Sequence, residues 1–102
     1  MTAVNCQIVR VGDEYIVPKL TVNPENGQRT VKWEISDGSD FTVWFPPTRS
    51  PLEGGNLFES KGSTLMANLL KGAAGLYEYS VHCHRNNHLA RGNSSPPIMI
   101  IL

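Results

Sequence analysis

Apolar and polar residues alternate along this chain in short runs that turn residues cut off. Residues 30–35 show it most clearly. Val31, Trp33 and Ile35 fall on one face of an extended chain and Lys32 and Glu34 on the other, because strand side chains alternate with period two. The same reading predicts strands over 6–11, 14–17, 19–22, 41–45 and 98–102. Pro18 lacks a ladder donor and marks an edge, a bulge or a strand start. Dense turn signals fall at 23–27, where Asn26-Gly27 supplies the positive φ a hairpin wants, and at 36–40 and 72–75. Residues 48–62, rich in Pro, Gly, Ser and Asn, predict a long connection, and 64–70 fits a strand or a short helix. About seven to eight strands, each needing to bury one face, predict an all-β Greek-key antiparallel β-sandwich, with 1–102 as a single domain.

One stretch organises the rest. From Gly75 the chain reads as a strand in which Tyr77, Tyr79, Val81 and Cys83 share one face and Glu78, Ser80 and His82 the other. It empties into a polar loop over 84–95. All three histidines and one of the two cysteines lie here: His82, Cys83, His84 and His88. Four soft-to-borderline donors within seven residues form a candidate site for copper, zinc or nickel. The plainer reading is solvated imidazoles on a hairpin and one half-buried thiol, since neighbours of Cys83 on an extended strand point away from it. Cys83 as a nucleophile would need a base that lowers its pKa and an orienting acid, and no such acid is identifiable.

Composition narrows the function classes. Nine basic and nine acidic residues cancel, and no Lys/Arg cluster is present, which argues against nucleic acid and against an anionic membrane surface. The longest apolar run, 98–102, is far too short for a bilayer span. No basic segment followed by an apolar one opens the chain, so the expected location is cytoplasmic if Met1 is the native start, and periplasmic or extracellular if a leader was removed. Cys6 and Cys83 are expected as free thiols rather than a bridge. Residues 37–40 read as a turn and not a calcium loop, and 72–75 lacks the Lys-Ser/Thr of a phosphate cradle. Asn93-Ser94-Ser95 is a formal glycosylation sequon. Trp33 shares the apolar face of its strand, whereas Trp44 sits on the polar side of its own beside Pro46-Pro47. Trp44 is therefore a candidate contact for a partner.

Taken in order, Tyr15-Ile16-Val17-Pro18-Lys19-Leu20-Thr21-Val22, Val31-Lys32-Trp33, Phe41-Thr42-Val43-Trp44-Phe45, Gly72-Ala73-Ala74-Gly75-Leu76-Tyr77-Glu78-Tyr79 and Pro97-Ile98-Met99-Ile100 resemble the cupredoxin family from about residue 6 to 102. The resemblance implies a Greek-key β-sandwich that, in metal-binding members, holds one copper at one end through two imidazoles, a thiolate and a weak axial thioether. Laid on this chain, the first histidine position falls at Phe41, the cysteine position at Val81, the second histidine at His84 and the axial residue at Leu89. One ligand of four remains. A two-residue slip would use Cys83 and His88 instead, with His82 or His84 as the other imidazole. The expected function is a non-catalytic cupredoxin-like binding or interaction module for an unknown protein or small-molecule partner, needing no cofactor. The alternative is a small copper protein for electron transfer or copper handling through His82, Cys83, His84 and His88.

Overall fold

Strand-forming residues and positive-φ glycines settle the architecture. The computed structural model describes residues 2–92 and 96–102, so the sequon at 93–95 lies outside the described residues. The strands are β1 (Thr2–Val11), β2 (Glu14–Ile16), β3 (Leu20–Val22), β4 (Gln28–Ile35), β5 (Phe41–Trp44), β6 (Leu57–Glu59), β7 (Thr64–Asn68), β8 (Gly75–Glu78), β9 (Ser80–Cys83), β10 (His88–Leu89) and β11 (Ile98–Ile101). Among the described residues one 3-10 turn, Pro24–Asn26, is capped by the Asn23 side chain and closed by Gly27 at φ 80°. No helix among the described residues is long and apolar enough to cross a membrane.

One layer has the order β2-β1-β4-β7. The other combines β3-β11-β8 with β10-β9-β5-β6, since β8 and β9 follow each other directly through Tyr79. Between the layers lies an apolar core that includes Cys6, Ile8, Val31, Trp33 and Ile35 from the first, and Phe41, Val43, Tyr79, Val81, Cys83 and Met99 from the second. The all-β sandwich expected from the sequence is what the chain forms.

Three local differences from the sequence pattern appear, and one alternative it left open is resolved. Two strand pairs run parallel, β1 with β4 and β3 with β11, so the sheets are mixed rather than purely antiparallel. Residues 48–62 contain the edge strand β6, whose three residues are too short to show alternation. The chain over 64–70 resolves as the strand β7, paired antiparallel to β4. The long strand from Gly75 divides at Tyr79. There the Tyr79 N–H donates to the Pro97 carbonyl at 3.1 Å, and proline has no N–H to return, so the ladder cannot continue unbroken.

Candidate functional site

The histidine-bearing segment is a hairpin. In β9–β10 His88 pairs with Cys83 and Leu89 with His82, leaving 84–87 as the loop. Asn86 Oδ1 accepts from the His88 N–H at 3.0 Å, a local Asx turn. Asn87 follows at φ 56°, a left-handed conformation that asparagine tolerates better than most residues. From there its Oδ1 accepts a 2.9 Å hydrogen bond from His82 Nε2.

Strand parity separates the candidate donors. Cys83 is 0% exposed and points into the core, directly opposite Phe41 on β5. His82 sits on the outer face of β9 opposite Thr42, and His84, just beyond the strand, hydrogen-bonds Thr42 Oγ1 through Nε2 at 2.8 Å. The two imidazole ring centres are 5.3 Å apart at an interplanar angle of 49°. His88 is exposed on β10. The histidine pair thus faces solvent while the thiol is buried in the core that also holds Phe41, Val43 and Val81. Among the described residues, no three His, Cys, Asp or Glu side chains form a group able to hold an ion. Phe41, at the first histidine position of the resemblance, is set across from Cys83 rather than from Val81, which pairs with Val43.

Burial pushes the Cys83 thiol up to about 11, with the Asp37 carboxylate adding to the rise. Burial also pushes Cys6 up to about 12, against a lowering from the Tyr79 hydroxyl. Both thiols are free and buried. A thiol so placed is mostly protonated near neutral pH and shielded from reagents. Neither cysteine is expected to react with an alkylating thiol reagent at pH 8 in the native chain, and both should react once it is denatured. Mass spectrometry of the native adducts checks this, and fast labelling of Cys83 would contradict it.

The polar centre beneath the hairpin is Asp37, a residue whose sequence context marks only a turn. Ser39 donates to Asp37 Oδ1 from its N–H at 3.0 Å and from its hydroxyl at 2.6 Å. The Tyr15 hydroxyl donates to Oδ2, and Arg85 Nε lies 3.9 Å from the same oxygen. Burial works against the charge, but the Ser39 and Tyr15 hydrogen bonds and the Arg85 charge outweigh it and hold the carboxyl at about 2 against an ordinary 3.8. A depressed carboxyl contributes stability that is fully present above its unfolded value and is lost as pH falls toward its folded value. Unfolding free energy should therefore fall between about pH 4 and pH 2, with Asp37 supplying up to about 2 kcal/mol of the loss. Denaturant titrations across that window check it, and Asp37→Asn should flatten that part of the slope. Asp37-Gly38-Ser39 was the available signal, an Asx-turn pattern.

A second feature lies further along the same outer face. Trp44 is 47% exposed and pairs with Leu57 on β6, itself 57% exposed. Beside them a groove of about 370 Å³ is lined by Trp44, Pro46, Pro47, Glu78, Tyr79 and Ser80, among others.

The class these observations define is an all-β sandwich with a buried thiol and a solvent-facing histidine hairpin. No family model matches the sequence, and no curated protein matches it. Solved structures similar to it include an oxidized methionine-to-leucine mutant of amicyanin, at 18% identity over 94% of this chain and 80% of that one, with a TM-score of 0.48. A methionine-to-alanine mutant of amicyanin in the Cu(I) form matches with the same identity, coverage and TM-score.

Proposed function

We propose that residues 1–102 form one cupredoxin-like domain that is non-catalytic and works by binding, with the Trp44 surface as its contact. The cupredoxin-like reading draws on the ordered sequence motifs between about residues 6 and 102. The observation that carries the binding role is the exposed Trp44–Leu57 pair. Two large apolar side chains stand directly opposite each other on an outer sheet face, where solvent-facing positions ordinarily take polar residues. Pro46 and Pro47 continue this surface as a rigid rim. Tryptophan is enriched among the residues that carry interface energy. The partner is a protein or a small molecule with an apolar contact of its own.

Trp44→Ala and Leu57→Ser should leave stability within about 0.5 kcal/mol of the native chain, because neither side chain is in the core. Both should weaken capture of the partner from an extract of the source cells. Unchanged capture by both variants would contradict the surface assigned here. Turnover of ester or peroxide substrates that disappears in Cys83→Ser would contradict the non-catalytic reading. Copper handling is the second reading, and the observation favouring it is the closeness of His82 and His84.

A further inference from the structure

We infer that His82 and His84 form a two-imidazole surface site for a borderline divalent transition-metal ion of the zinc, nickel and copper(II) class, separate from the Cys83 thiol. The inference does not depend on the Trp44 surface. Three observations carry it.

The first is spacing. An ion about 2 Å from each ligating nitrogen lies roughly 3.2 Å from each ring centre, so a tetrahedral two-imidazole chelate sets the ring centres about 5 Å apart. His82 and His84 stand at 5.3 Å. The strand accounts for it: residues two apart on β9 and its continuation project from the same face.

The second is the state of the ring nitrogens. Asn87 Oδ1 can only accept, so neutral His82 carries its proton on Nε2 and keeps its lone pair on Nδ1. His84 engages Thr42 Oγ1 through Nε2 as well, and with that nitrogen donating its Nδ1 is likewise the free base. Among the described residues neither Nδ1 has a hydrogen-bond partner. Histidine ligands commonly donate their other N–H to a fixed acceptor, which sets the tautomer and the ring orientation. Thr42 and Asn87 occupy that supporting position for both rings.

The third is access and charge. His82 also lines an open cleft of about 740 Å³, together with Asp13, Glu14, Asn87 and His88. Water in this cleft can complete the coordination of an ion held at His82. Glu14 and Asp13 each have an arginine beside them, Arg91 at 3.4 Å and Arg10 at 4.0 Å, so the charge around the cleft is balanced. The thiol takes no part, because Cys83 faces the core.

The test uses the full untagged chain with Zn(II) or Ni(II) added alone. A ligand that binds only the native state raises its melting temperature as ligand concentration rises. The native chain, Cys83→Ser and His88→Ala should all show the rise. His82→Ala and His84→Gln should each abolish it while keeping the metal-free melting temperature close to native. No rise in the native chain, a rise retained in both histidine variants, or a rise lost in Cys83→Ser would each overturn the site. A second readout separates a purely structural role of the pair. Substoichiometric Ni(II) should broaden the His82 and His84 ring proton signals ahead of those of His88, and broadening confined to His88 would overturn the assignment.

Discussion

Trp33→Ala should destabilise the chain by about 3–5 kcal/mol. Trp33 is 0% exposed at the middle of β4, and the side chain crosses the sandwich to meet the opposite layer. Its ring packs edge-on against Tyr79 at 5.9 Å between centroids, and its Nε1–H donates to the Tyr79 hydroxyl at 3.2 Å. Truncation empties a cavity that neither rigid sheet can close, and the cost of such cavities grows with the volume left. Small domains are stable by only about 5–15 kcal/mol, so this loss alone would leave much of the population close to unfolding. Equilibrium denaturant unfolding followed by far-UV circular dichroism checks it, and a loss under about 1 kcal/mol would contradict the packing described.

Tyr79→Ala should cost about as much, roughly 3–5 kcal/mol, for a compound reason. Tyr79 is the hub of the aromatic core, stacked on Phe45 at 4.9 Å and edge-on to Trp33. It also stands where β8 passes into β9, so its loss affects packing at the junction that joins the second layer. Tyr79→Phe separates the contributions. It keeps the ring but leaves the buried Trp33 Nε1–H without an acceptor, and a lost partner of that kind costs about 1–3 kcal/mol. Trp33→Phe in the same background should recover part of that loss, since the orphaned donor goes with it. If Tyr79→Phe were as stable as the native chain, the hydrogen bond across the core would have no energetic weight. Burial raises the pKa of the Tyr79 hydroxyl, and the Cys6 thiolate charge would raise it further, so it remains a neutral donor and acceptor at ordinary pH.

Much of the fold was legible because most strands bury one face only. Val31, Trp33 and Ile35, or Phe41, Val43 and Phe45, declare their direction by parity, whatever sheet they join. Parity likewise separated Cys83 from His82, which is the fact that divides the candidate site. Pairing partners left no such mark. Nothing local in β1 says that Cys6 runs parallel beside Trp33, and nothing in β5 says that Phe41 lies opposite Cys83. Counting along the chain from Gly75 gives Val81 as the cysteine position of the resemblance, and nothing in that count says that Val81 pairs with Val43 and Cys83 with Phe41. The Asp37 centre was hidden for the same reason. Ser39 belongs to the same turn, but Tyr15 and Arg85 come from distant segments that only the folded layers bring to it. The break at Tyr79 needed Pro97, which lies beyond the hairpin, to be known as its neighbour.

The sandwich keeps its thiol on one side of β9 and its imidazoles on the other. Titrating the untagged chain with Cu(II) while recording the visible spectrum tests it most directly. A weak imidazole-type absorption that persists in Cys83→Ser and disappears in His82→Ala is the predicted result. An intense thiolate-to-copper band that vanishes in Cys83→Ser would show Cys83 and the histidines meeting on one ion, and would contradict the account.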